Sequence, residues 1–178
     1  MQNPINKKIV FIISFIRVLS AFPILINPLW GFITFVIIDY FDAYFLQHFA
    51  GMGWRTYQQW DKKFDIPGFI AMTYLGFVAG LGIPFGSFFV FRMIGEIFFF
   101  VYKKQAILLF FPNFIEPYFV WVLLLKNFNL PIYWLVILFV LQILLEYFLH
   151  IFWPNYLKKN DFPKFFRAFG LTKVENWD

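Results

Sequence analysis

The chain has 178 residues, of which 61% are apolar, 26% aromatic (30 Phe, 7 Trp, 9 Tyr) and only 14% charged. A soluble domain carries about 25% charged residues, so this composition excludes the soluble globular, disordered, collagenous and coiled-coil classes and points to a chain solvated by lipid. The absence of cysteine excludes a disulfide framework, a thiolate metal site and a cysteine nucleophile, and two histidines, His48 and His150, cannot make a three-histidine zinc site.

A hydrocarbon core needs about 20 apolar residues of helix per crossing. Six such stretches follow one another. The first runs from Ile9 to Ile26, ahead of Asn27 and Pro28, and the second from Leu29 to Phe49, ahead of Gly51 and Gly53. The third runs from Tyr57 to Leu81, where Gly82, Ile83 and Pro84 break it. The fourth covers Phe85 to Tyr102, the fifth Ile107 to Leu125 and the sixth Ile132 to Trp153. The expected fold is therefore all-α, an integral membrane bundle of six transmembrane helices, with residues 1–153 as the membrane domain. Residues 154–178 form a tail. It mixes Tyr156, Phe162, Phe165, Phe166 and Phe169 with Lys158, Lys159, Lys164 and Arg167, a composition suited to the interface of anionic lipid. The loops are too short for a soluble catalytic domain, so an active site has to be built from the helices.

Lys and Arg accumulate on the cytoplasmic side of membrane proteins. In the six-span arrangement Lys7, Lys8, Arg55, Lys62, Lys63, Lys103, Lys104, Lys158, Lys159, Lys164, Arg167 and Lys173 fall on one side and Lys126 alone on the other, so both termini are expected in the cytoplasm. The net charge of +5 is thus a matter of topology, not of nucleic acid. Arg17 interrupts the first apolar run and no small-residue cleavage site follows it, so this segment is not expected to be a cleaved signal peptide.

The remaining charges lie inside the spans. At a rise of about 1.5 Å per residue, Arg17, Asp39, Asp65 and Arg92 fall in one layer roughly 15 Å from the cytoplasmic helix ends, with Glu116 and Glu146 near the same depth. A charge at the bilayer centre costs about 2.5–3.5 kcal/mol even on the lenient insertion scale, so this layer predicts a shared polar cavity open to the cytoplasm. Arg92 and Glu96, four apart, also fit a structural ion pair. Glu116 and Glu146 fit partners for Arg17 or bonds between helices, and His48 and His150 fit packing or interfacial roles. Gly76, Ala79, Gly80 and Gly82 give a small-residue face, for packing within the chain or for a homodimer through Gly76 and Gly80.

The sharpest feature is Asp39-Tyr40-Phe41-Asp42 followed by Asp61-Lys62-Lys63-Phe64-Asp65. Spacings of three and four place each pair of carboxylates on one helix face, and a short turn joins the two helices. Four neighbouring carboxylates need a counter-charge, which a hard divalent cation supplies through oxygen ligands while taking the rest of its shell from water or a phosphate. Pairing with Arg55, Lys62 and Lys63 at the turn is the competing explanation, and it suits Asp61 better than Asp39 or Asp42.

This arrangement resembles the CDP-alcohol phosphotransferases (CDP-alcohol phosphatidyltransferases), whose motif is D-x2-D-G-x2-A-R, a short gap, then G-x3-D-x3-D. The four acidic positions match at Asp39, Asp42, Asp61 and Asp65. Asn3-Pro4, then Ser14-Phe15-Ile16-Arg17 with Pro23 behind it, is similar to the opening of phosphatidylglycerophosphate synthase-like members. Ala43, Leu46, Gln47 and Tyr57 stand where the motif has Gly, Ala, Arg and Gly. The resemblance implies that Asp39, Asp42 and Asp61 hold Mg2+ or Mn2+, and that Asp65 helps to hold it or acts as the catalytic base on the acceptor hydroxyl. It implies transfer of a phosphatidyl group from a CDP-linked lipid such as CDP-diacylglycerol to a small alcohol, with release of CMP. Arg17 and Arg92 are the candidates for binding an anionic acceptor. Two rival readings stand beside it, a non-catalytic membrane scaffold and a transferase using a diphosphate donor without CDP; aspartate-rich membrane prenyltransferases fit less well, because only 18 residues separate Asp42 from Asp61.

Overall fold

A computed structural model of the chain describes residues 5–128, 130–153 and 155–156, with the side chains of 125–127 set aside. Apart from Asn155 and Tyr156, the expected tail lies outside the described residues. The described residues form helices joined by short turns, with no strand among them. They divide into two compact units, one of residues 5–68 with 155–156 and one within residues 69–153.

In the first unit, α1 (Lys7–Ser20) and α2 (Phe22–Ile26) together cover the first predicted span. The Asn6 side chain caps α1, accepting from the backbone N–H groups of Lys8 and Ile9. The helix breaks at Ala21 because Pro23 has no N–H to offer the carbonyl of Leu19. Asn27 then caps α3 (Pro28–His48), with proline at the first helical position, where its missing N–H costs nothing. α4 (Trp54–Val78) starts three residues earlier than predicted and runs on through Pro67 into the second unit. Leu46, Ala50, Met52, Tyr57 and Trp60 form the buried core of the first unit, covered by Ile9, Val10, Ile13, Ala43 and Phe64. A bond from Trp60 Nε1 to the hydroxyl of Ser14 (2.9 Å) fastens α4 to α1.

The second unit holds α5 (Gly82–Tyr102), α6 (Ala106–Phe110), α7 (Ile115–Phe128), α8 (Tyr133–Tyr147) and a π-helical turn, Phe148–Phe152. Its core is built from aromatic rings: Phe85 packs edge-on against Tyr118, and Phe88 against Tyr118, Phe114 and Phe139. Such ring pairs contribute about 0.5–1.5 kcal/mol each beyond their buried area. Gly76 is needed here, since a Cβ at that position would fall on the ring of Phe85. Part of the small-residue face is thus filled from within the chain.

Two predicted elements need correction. The fifth span, Ile107 to Leu125, is not one helix. Pro112 disfavours helical backbone at Phe111, so α6 stops at Phe110 and α7 begins at Ile115. The fourth begins at Gly82 rather than Phe85, because Pro84 fits within the first turn.

Four helical stretches are long and apolar enough to cross a membrane: Lys7–Ile26, Pro28–His48, Gly82–Tyr102 and Tyr133–Phe152. Phe11, Phe15, Ile26, Trp30, Tyr40, Ile83 and Val101 are among the many large apolar side chains that they leave exposed, which suits a lipid solvent.

Candidate functional site

The site of the first unit is assembled on three helices. Arg17 comes from α1, Asp39 and Asp42 from one face of α3, and Tyr57, Asp61, Lys62 and Asp65 from the first half of α4. Arg17 is at its centre and fully buried. Its Nη2 donates to Oδ1 of Asp39 and to Oδ1 of Asp65, both at 2.5 Å, and its Nε lies 2.9 Å from Oδ2 of Asp42. The guanidinium rests on the ring of Phe35, 4.7 Å from its centroid, an arrangement that favours a cation through the ring quadrupole. Phe35 can lie there because residue 68 is glycine: a Cβ at Gly68 would overlap its ring. On the α1 side, the Ser20 hydroxyl donates to the carbonyl of Arg17 at 2.6 Å. This i to i−3 bond holds the end of the helix that carries the arginine.

The four aspartates therefore come together, each in its own setting. Asp42 is buried, whereas 41% of the Asp39 side chain remains exposed, placing Asp39 at the opening of the site. Asp61 and Asp65, one helical turn apart, share the ammonium of Lys62, whose Nζ is 2.8 Å from Oδ2 of Asp61 and 2.9 Å from Oδ2 of Asp65. The Lys62 pairing weighed from the sequence is present, but it is buried rather than solvated at a turn. The Tyr57 hydroxyl lies 2.9 Å from Oδ1 of Asp42 and 3.3 Å from Oδ1 of Asp61. It carries one proton, so it donates to one of them at a time. Its ring is stacked on Trp60, which fixes the hydroxyl from behind.

Three carboxylate oxygens, one each from Asp39, Asp61 and Asp65, lie within 4.8 Å of one another. Oxygens that share one Mg2+ or Ca2+ lie no more than about 4–5 Å apart, so the trio is close enough to serve a common divalent ion. The donor set, hard oxygen throughout, also suits these ions. Asp42 is not part of this trio.

Arg92 and Glu146 belong to a second polar cluster, within the second unit. Arg92 Nε is 3.3 Å from Oε1 of Glu96, matching the ion pair expected from their spacing, and Nη1 bonds to Oε1 of Glu146 (3.0 Å) and to the carbonyl of Phe111 (2.9 Å). Glu146, expected as a partner for Arg17 or in bonds between helices, also accepts from the backbone N–H of Asn113 at 3.0 Å and meets Nε2 of His150 at 2.9 Å. Arg17 and the four aspartates thus form one cluster in the first unit, and Arg92, Glu96 and Glu146 another in the second. Phe111 and Asn113 flank Pro112, so Arg92 and Glu146 satisfy backbone groups that the broken helix leaves over.

Sequence reasoning missed the inward turn of Lys62 and the bonds of Tyr57. A signal for the first existed: Lys62 is three residues before Asp65, a spacing that faces the two together on a helix. Comparison of the chain with protein families, with curated proteins and with solved structures finds no match.

Proposed function

We propose that the protein is a membrane-embedded, divalent-cation-dependent transferase that moves a substituted phosphate group from a diphosphate-linked lipid to an alcohol. The single observation that carries this reading is the convergence of carboxylates from Asp39, Asp61 and Asp65 beside a fully buried arginine. The resemblance of the aspartate motif to the CDP-alcohol phosphotransferases supplies the identity of the donor, CDP-diacylglycerol or a related CDP-linked lipid, and of the product, CMP. Six crossings with cytoplasmic termini remain the proposed topology, supported by the one-sided placement of Lys and Arg.

Asp39, Asp61 and Asp65 would hold Mg2+ or Mn2+, with Asp42 bracing Arg17 and Tyr57. A cation bound there supplies Lewis-acid polarisation of the phosphoryl oxygen and neutralises charge gathering on the leaving group. Arg17 orients the phosphate, because a guanidinium presents donors in a fixed fork that matches phosphate oxygens. Asp65 accepts the proton of the acceptor hydroxyl as the new oxygen–phosphorus bond forms and the bond to CMP breaks. An apolar groove of about 610 Å3 in the same unit, lined by Val10, Phe11, Met52 and Phe64 with Lys7 and Ser14, has the lining that an acyl chain requires. In this reading Arg92 binds an anionic acceptor only if it exchanges a partner within its own cluster.

One observation favours a second reading, a non-catalytic scaffold: the Tyr57 hydroxyl sits between Asp42 and Asp61, in space that a smaller residue would leave to a ligand. A single assay separates the two. Purified protein is given CDP-diacylglycerol, Mg2+ or Mn2+ and a panel of small alcohols, and CMP release is followed. The transferase reading expects metal-dependent CMP release that Asp65→Asn abolishes. Absence of release with every alcohol refutes it for CDP-linked donors.

A further inference from the structure

The aspartates do not wait bare for a cation. Of their eight carboxylate oxygens, seven lie against Arg17, Lys62 or Tyr57: Oδ1 of Asp39 and both oxygens of Asp42, Asp61 and Asp65. A divalent ion can therefore enter only by exchange. Arg17 is the worst candidate to leave, being fully buried and seated on Phe35 while serving three carboxylates from three directions. Tyr57 carries no charge whose loss the ion would make good. Lys62 is different in kind. Its ammonium is a compact point charge on a stem of four rotatable carbons, and it touches Oδ2 of both Asp61 and Asp65, two of the three residues in the cation-sized trio.

We propose that Lys62 is an exchangeable counter-ion: a divalent cation displaces its ammonium from Asp61 and Asp65, and the released ammonium then binds the phosphate of the incoming ligand. This rests on the cation-dependent reading above and adds to it a residue and an order of events. The driving force is charge. Four carboxylates face two cations, Arg17 and Lys62, and a divalent ion in the place of the Lys62 ammonium brings that balance one charge closer to neutral. Once the ion is in place, the ammonium beside it is repelled and turns, on its tether, toward the nearest anion.

An independent observation points to phosphate as the ligand. Arg17 is fully buried and meets the aspartates through Nη2 and Nε, while its Nη1 group finds no hydrogen-bond partner among the described residues. Leaving a buried charged donor unmet is costly, and a phosphate oxygen is the acceptor that fits both this group and a released lysine. The phosphate would thus be held by Nη1 of Arg17 and by Lys62, and the cation by Asp39, Asp61 and Asp65.

The two steps give Lys62→Gln effects of opposite sign, which a merely structural role would not produce. Purified full-length protein in lipid nanodiscs is titrated with Mn2+, and free Mn2+ is read by electron paramagnetic resonance. Lys62→Gln is expected to bind Mn2+ about tenfold more tightly than the unaltered protein, because the competing charge is gone. At saturating Mn2+, inorganic pyrophosphate is expected to bind Lys62→Gln about tenfold more weakly. A third readout needs no variant: an amine-reactive reagent, followed by mass spectrometry, should label Lys62 faster when Mn2+ is added. Mn2+ binding to the unaltered protein, with affinity unchanged or weaker in Lys62→Gln or with labelling of Lys62 not increased, overturns the exchange and leaves the cation site standing. Failure of both proteins to bind Mn2+ overturns the cation site and the exchange together.

Discussion

Replacing Arg17 by methionine tests the electrostatic design of the first unit most directly. The substitution keeps much of the side-chain volume and removes the charge that Asp39 and Asp65 meet at 2.5 Å and Asp42 at 2.9 Å. With charge centres about 4 Å apart and an effective dielectric constant near 20, each such pair is worth about 4 kcal/mol of Coulomb energy. Much of the sum of three is offset by the cost of burying the guanidinium and by repulsion among the acids. What remains on truncation is the penalty of leaving buried carboxylates without their partner, about 3–5 kcal/mol. At about 1.4 kcal/mol per factor of ten, the folding equilibrium should fall by two to three and a half powers of ten. Unfolding in mixed detergent–SDS micelles, followed by tryptophan fluorescence, reads this, since Trp60 is buried and bonded to Ser14 on the helix that carries Arg17. Arg17→Lys should lie between the two proteins, because one ammonium cannot span positions now served by Nη2 and Nε. A loss below about 1 kcal/mol for Arg17→Met, the size of a solvent-exposed pair, would refute the claim that these carboxylates depend on Arg17.

In the second unit, Arg92→Met and Glu146→Leu should each cost about 3 kcal/mol in the same assay, with the double variant losing at least about 1.5 kcal/mol less than their sum; strict additivity would show that the 3.0 Å pair is not coupled. Gly76→Leu should cost more than about 2 kcal/mol, because its side chain must displace the ring of Phe85. At the more open site, a Cβ on residue 86 meets Phe77 at 3.4 Å, an ordinary contact, so Gly86→Ala should be neutral or more stable by up to about 1 kcal/mol in the helix interior. Equal losses at the two glycines would remove close packing as the reason for Gly76.

Much of this architecture was legible because its grammar is coarse. Apolar runs of about 20 residues mark a helix whatever it packs against, so Lys7–Ile26, Pro28–His48, Gly82–Tyr102 and Tyr133–Phe152 correspond to predicted spans. The fifth span failed for the same reason: hydropathy reads through Pro112, which is apolar, while the backbone does not. The aspartates were legible because spacings of three and four fix a helix face without any knowledge of its neighbours. Which cation would face them was legible only in part, through the spacing of three between Lys62 and Asp65. Lys62 follows Asp61 directly, and adjacent residues on a helix usually point apart, yet its long stem carries the ammonium back to both Asp61 and Asp65. Arg92 and Glu146, 54 residues apart, could be joined only by knowing that Pro112 leaves a carbonyl and an N–H between them that need partners.

The contrast between the two clusters is what assigns them different roles. Each buries an arginine among carboxylates in an apolar chain, which is expensive and therefore has to be explained. In the second unit the explanation is structural: Arg92 and Glu146 answer the carbonyl of Phe111 and the N–H of Asn113, and without them the break between α6 and α7 would leave backbone groups unmet. The aspartates of the first unit answer side chains, namely Arg17, Lys62 and Tyr57, and four acids against two cations is more negative charge than holding α1, α3 and α4 together requires. An arrangement made only for stability would do better with one carboxylate per cation, or with apolar residues of the same volume. Four carboxylates against two cations, three of the carboxylates gathered from two helices, are what the proposed divalent cation would help to balance.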